Sequence, residues 1–313
     1  MSVNLLKMFA CVLVVAACTQ SEPSAENIEA GKGLPRVYTV NYPLAYFAER
    51  IVGESVEVVF PVPSGVDPAT WSPDAQTIAD YQQADLVLLN GAGYADWIQR
   101  ATLSQSRLVD TSAALADSLI PVDDSVTHSH GPGGDHSHQG TAFTTWLDME
   151  LAVGQARAVF DALVRLRPEN ETDFRERLTE LEKDLGGLDT RLKVVAERVG
   201  DQPLLFSHPV YQYLVRGYGL NGRSVHWEPD EIPGDDQWRE LFELLGAHNA
   251  GWMIWEDEPL PEAASLLESM GIESLVFRPC GNRPAEGSLL SVMLENVATL
   301  EQAFPAPASV VSY

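Results

Sequence analysis

The chain has 313 residues, 45% hydrophobic and 21% charged, the make-up of a folded protein of one large or two ordinary domains rather than a disordered one. Asp and Glu outnumber Lys and Arg by 45 to 20, a formal charge of -25, which repels nucleic acid and anionic membrane surfaces and favours cations. With three cysteines, Cys11, Cys18 and Cys280, neither a framework of several disulfides nor an all-cysteine zinc cluster is possible.

Residues 1–17 carry one positive charge, Lys7, ahead of an apolar run from Met8 to Ala17. The run is too short to span a bilayer comfortably and has the layout of an export signal. Val15-Ala16-Ala17-Cys18 looks like a bacterial lipobox, which predicts cleavage before Cys18 and lipidation of that cysteine. Residues 18–35, rich in Ser, Glu, Pro, Ala and Gly, then read as a tether. The expected setting is the periplasm, with the folded body held to a membrane through lipidated Cys18.

From residue 36 to 167 the pattern is an α/β lobe. Val37–Tyr42 is a short β-rich run, and Leu44, Phe47, Ala48 and Ile51 follow at helical spacing. Strands are predicted around Val56–Val62, Ala84–Asn90 and Leu108–Asp110, with helices over Thr77–Ala84 and Trp97–Leu103. Such alternation argues for mostly parallel sheets flanked by helices. The segment 126–140 breaks the pattern and reads as a mobile loop holding four of the seven histidines: His128, His130, His136 and His138. Imidazoles so clustered suit weak capture of Zn, Ni or Cu ions.

Leu151–Leu166 is helical, and 168–200 reads as a long linking helix. Phe174, Leu178, Leu181, Leu185, Leu188, Leu192, Val195 and Val199 recur at spacings of four and three, one apolar stripe. The Gly186-Gly187 pair weakens the case for an unbroken rod. Residues 201–305 resume the alternation as a second lobe, with strands at Leu204–Phe206, Gly251–Trp255 and Ser274–Phe277 and helices at Gln212–Tyr218, Glu262–Met270 and Leu289–Phe304. An acidic loop from His226 to Asp236 is predicted between them, and 306–313 is a tail. In open α/β sheets ligands sit beyond the carboxyl ends of the strands, so those positions carry the function.

Those positions carry a resemblance. Tyr42-Pro43-Leu44, Val62–Trp71 with its Asp67-Pro68, Ala84–Val87 with Asn90-Gly91, Trp146-Leu147-Asp148, Phe206-Ser207-His208, Tyr218-Gly219-Leu220 and Phe277–Gly281 together look like the periplasmic solute-binding proteins of zinc and manganese ABC transporters. The resemblance runs from about residue 37 to 304. It implies two lobes joined by a long helix, a divalent metal as solute, zinc foremost, an ABC permease as partner, and a monomer. It also implies metal ligands after the Asp-Pro pair, before Trp-Leu-Asp, after the first strand of the second lobe, and near the final strand. At these positions stand Ala69, Thr144, His208 and Arg278, so three of the four usual ligands are replaced.

A non-standard zinc site is therefore expected around His208, Glu256 and His226, with the His-rich loop as a second capture element and Cys280 as a soft donor. Arg278 is expected to pair with Glu256 or Glu258. An alternative is a non-metal solute held near Arg278 by cleft tryptophans among Trp71, Trp146, Trp227, Trp252 and Trp255, or an interaction protein that has lost its solute. No His-Glu-x-x-His run, Gly-x-Ser-x-Gly elbow or phosphate loop is present, so an enzyme is not expected.

Overall fold

Six of the eight strands that build the two sheets carry a Pro, Gly, Asp or Asn at one end or immediately beside it, residues that favour turns over strand interiors. The computed structural model describes residues 33–129 and 135–306. The signal segment, Cys18, nearly all of the tether, His130 and residues 307–313 of the tail lie outside the described residues. In the first lobe β1 (Arg36–Thr39), β2 (Glu57–Val59), β3 (Leu86–Leu89) and β4 (Leu108–Asp110) form a parallel sheet in the order β2-β1-β3-β4. The helices of this lobe are α1 (Tyr42–Val52), α2 (Ala75–Gln83), the short α3 (Trp97–Arg100) and α4 (Met149–Leu166).

The segment expected as a mobile loop is instead an antiparallel hairpin, β5 (Pro121–Ser129) with β6 (Asp135–Thr141). The register sets His128 opposite His136 and shifts between Asp123 and Thr127. The signals overlooked are Val122, Val126, Thr127 and Thr141, β-branched residues flanking a Gly-Pro-Gly-Gly run suited to a turn.

The long helix α5 (Glu171–Val199) has 29 residues, about 43 Å at the α-helical rise. All eight stripe residues named from the sequence are buried, against α1, α4 and the last helix. Gly186 and Gly187 are exposed and do not interrupt it.

The second lobe repeats the first. Strands β7 (Pro203–Phe206), β8 (Asn221–Ser224), β9 (Trp252–Trp255) and β10 (Glu273–Val276) are parallel in the order β10-β9-β7-β8, the same winding read from the opposite edge. Its helices are α6 (Gln212–Tyr218), α7 (Asp235–Ala247), α8 (Pro261–Ser269) and α9 (Leu289–Ala303). The predicted acidic loop is shorter than expected, because Asp235 and Asp236 open α7, where carboxylates complement the helix dipole.

One hydrophobic core runs through both lobes, from Val37 and Phe47 through Trp146 and the α5 stripe to Phe206, Phe277 and Leu300. A second lies within the second lobe around Trp227, Met253, Trp255 and Leu267. A buried polar cluster stands at the carboxyl ends of β1 and β3. Asn41 donates to Asn90 Oδ1 at 3.0 Å, Gln155 donates to Asn90 Oδ1 and Thr111, Thr145 donates to Gln155 at 2.9 Å, and Asn90 donates to the Phe143 carbonyl. Each group finds a partner, so the cluster fixes the register of the turn carrying Thr144 and Trp146.

Candidate functional site

His208 sits two residues past the end of β7, where the sheet hands its chain to a turn before α6. The turn is held on both sides: Ser207 donates its amide to Ile254 of β9, and Trp227 donates its amide to the Ser207 carbonyl. His208 is 7% exposed. The Glu228 carboxylate lies 3.8 Å from its Nε2, and the His226 ring stands perpendicular with centroids 6.2 Å apart. Beyond β8 the chain is irregular and extended, and alternate residues of an extended chain share a side, which accounts for His226 and Glu228 approaching His208 together.

Sequence reasoning did not select Glu228. Its signal is the two-residue spacing from His226. Glu256 follows the end of β9, the strand beside β7. Its charge, with that of Asp257, adds to burial in pushing the Tyr211 hydroxyl well above its ordinary pKa. Among the described residues no group of three or more His, Cys, Asp and Glu side chains is arranged to hold a metal ion.

The other positions at which the resemblance would put ligands hold no metal-binding side chain of the expected kind. Thr144 is buried and donates its hydroxyl to the Val210 carbonyl, which ties the first lobe to the turn after His208. A small cavity of 30 Å³ between the base of the hairpin and that turn is lined by Thr144, His208 and Gln212, among others. Ala69 donates its amide to Asp67 Oδ1 at 2.9 Å and packs its methyl against the first core.

Arg278 pairs with Asp257 at 2.9 Å and with Glu258 at 3.3 Å. The expected partner Glu258 is found and Glu256 is replaced by Asp257. The strand alternation that would have aligned 256 with 258 ends at Trp255, and the chain bends there. The Arg278 backbone amide donates to Asn296 Oδ1 of α9 at 2.9 Å, and Arg278 lines a groove beside β10 together with Glu295.

The segment after Arg278 crosses back to the first lobe as a strap. Trp146 donates its indole N–H to the Pro279 carbonyl, and Tyr42 donates its amide to Gly281. Asn282 donates to the carbonyls of Pro63 and Val66 at 2.8 and 2.7 Å, and Arg283 pairs with Glu49 at 2.6 Å over the Tyr42 ring. Cys280 sits inside this strap at φ 59°, and burial pushes its thiol up to about 12, so it is protonated at neutral pH and offers no thiolate to a metal.

The tryptophans do not converge on one cleft. Trp227 and Trp255 fill the second core, Trp71 packs edge-on to Trp97, Trp252 packs on Phe304, and Trp146 meets the strap. Of the histidines in the hairpin, His128 and His136 face one another in the backbone register, His138 follows on β6, and His130 lies outside the described residues.

Over residues 37–303 the chain matches the family described as ZnuA, zinc-uptake complex component A, periplasmic. It is 27% identical over 269 residues to the high-affinity zinc uptake system protein ZnuA of Bacillus subtilis, covering 85% of this chain and 84% of that one. Identity is 23% over 312 residues with the zinc-binding lipoprotein AdcA of Streptococcus pneumoniae, covering 96% of this chain but 60% of that longer one. The Zn(II)-bound ZnuA-like domain of S. pneumoniae AdcA shares the fold with a TM-score of 0.72 at 19% identity, over 88% of this chain and all of that domain.

Proposed function

The chain belongs to the family of periplasmic zinc-uptake component A proteins, non-catalytic parts of transport systems, and from that premise we propose that it is a lipid-anchored, extracytoplasmic solute-binding protein delivering a divalent metal, zinc foremost, to an ABC permease. Three of the four usual ligand positions have been given up, at Ala69, Thr144 and Arg278, and His208 anchors a non-standard site with Glu228 and His226. The His-rich hairpin, with His128, His130, His136 and His138, serves as an auxiliary capture element. Glu256 stands at the neighbouring strand end and supplies negative potential.

The observation that carries this reading is the pair of His208 Nε2 and Glu228 Oε1 at 3.8 Å. Two ligands each about 2.0–2.1 Å from a tetrahedral zinc ion lie roughly 3.4 Å apart, so the pair is within a few tenths of an ångström of the separation a shared ion needs. The donor types are those zinc takes, and the acidic chain favours a cation.

The test is a calorimetric zinc titration of the demetallated protein, beside His208→Ala, Glu228→Ala and a chain lacking residues 126–140. Tight binding that survives removal of the hairpin and falls roughly 100-fold on His208→Ala supports the site. Weak binding that vanishes with the hairpin and ignores His208→Ala overturns it and leaves capture at the hairpin alone.

A further inference from the structure

We propose that the outer edge of β10, flanked by α9, is a docking groove for an extended basic polypeptide segment, which joins the second sheet as an additional strand. This surface is distinct from the His208 site and does not depend on the metal reading. The groove has a volume of about 680 Å³ and is walled by Trp252 at one end, Arg278 at the other and Glu295, Ala298, Thr299 and Gln302 of α9 along its length. Its floor is Glu273–Val276, the whole of β10.

β10 is the outermost strand of its sheet among the described residues. Glu273 donates its amide inward to Gly251, and Phe277 donates inward to Trp255. Successive residues of a strand turn their amides and carbonyls to opposite sides, so the N–H and C=O groups of Ser274 and Val276 face the groove. An edge that offers outward donors and acceptors beside a helix is the arrangement by which an extended peptide adds to a sheet: main-chain bonds hold it, and alternate side chains lie against the helix.

Charge selects the occupant. Glu258, Glu273 and Glu295 line the groove, and its one lining cation, Arg278, is already shared between Asp257 and Glu258. An acidic strand is repelled, and so is the same edge of a second copy, which would set Glu273 and Glu295 against their own like. Lysine or arginine side chains at alternate positions of an incoming strand would meet these carboxylates.

The probes are a synthetic heptapeptide alternating lysine with valine and its glutamate–valine counterpart, added to the intact protein. Amide hydrogen exchange at Ser274 and Val276 and the fluorescence of Trp252 are followed. The lysine peptide is expected to slow exchange at both amides and the glutamate peptide to leave them unchanged. Val276→Pro removes an outward amide without touching the ladder to β9 and should abolish the protection, with circular dichroism confirming the fold. Glu273→Lys with Glu295→Lys should weaken the lysine peptide by roughly tenfold and favour the glutamate one, which keeps the test decisive if the proline variant misfolds. Equal binding of both peptides, or binding indifferent to the double charge reversal, overturns the proposal. So does exchange at Ser274 and Val276 that is slow without peptide and speeds up when residues 307–313 are deleted, because the occupant is then the chain's own tail.

Discussion

Replacing Gln155 with leucine isolates the buried cluster that positions the Thr144–Trp146 turn. Gln155 is fully buried; its amide donates to Thr111 at 3.1 Å and to Asn90 at 3.2 Å, and its carbonyl accepts from Thr145 at 2.9 Å. Thr111 keeps its bond to the Leu89 carbonyl, and Asn90 Oδ1 keeps that from Asn41, so neither is stranded. Thr145, also fully buried, loses the acceptor for its hydroxyl. Three lost bonds at about 1 kcal/mol each, one orphaned hydroxyl at about 1–3 kcal/mol and about 1–2 kcal/mol recovered from the leucine methyls leave a cost of about 3 kcal/mol. Urea titration should show that loss at unchanged slope, and the melting temperature should fall by roughly 5–10 °C. Adding Thr145→Val removes the orphan and should restore about 1–2 kcal/mol. A Gln155→Leu protein as stable as the parent, or a double variant no better than the single, would refute the claim that these bonds fix the turn.

Other outcomes follow from single features. Gly186→Ala and Gly187→Ala, both on the exposed side of α5 with open space around them, should each stabilise the protein by about 0.5–1 kcal/mol in thermal unfolding. Gly91→Ala should destabilise by about 2–4 kcal/mol, since Gly91 holds φ 75° and a Cβ there would lie 1.9 Å from Ser112 Oγ. The Arg191 guanidinium grips Glu301 at 3.1 and 2.8 Å and holds its carboxyl below the usual range. A depressed carboxylate contributes stability above its unfolded pKa and loses it as pH falls through the folded one, so the stability gap between the parent and Arg191→Met should be present near neutrality and close in acid. A gap independent of pH would mean that Arg191 acts through packing alone.

The elements legible in the sequence are those whose apolar residues repeat against a single core. The α5 stripe is the clearest, with every residue named from its spacing buried. Strand β8 was not legible, because Asn221-Gly222-Arg223-Ser224 lies at a sheet edge where polar residues are tolerated, and its glycine is required by the Phe206 ring, whose Cε2 would lie 2.4 Å from a Cβ. Helix α7 was hidden by the carboxylates that open it. Of the candidate site, the place of His208 just after a strand was legible. The approach of Glu228 was not, since the two residues stand on separate turns and only the β7–β8 pairing brings those turns side by side.

Solute-binding folds are often pictured as clamshells, and the strap at Pro279–Arg283 bears on how this one moves. The body from Leu34 onward packs as one unit, with a single core continuous from α1 to α9. Swinging the lobes apart would peel the strap from Trp146 and Tyr42, break both Asn282 bonds and cut that core across α5. The molecule is thus closer to a riveted frame than to a hinge, and any rearrangement that spares the core is confined to short segments such as the turn at His208 and the loop at Pro63–Ala69. On the delivery role proposed above, a partner would work on the short segments at the rim, where a few hydrogen bonds hold the chain, rather than prise open its two halves.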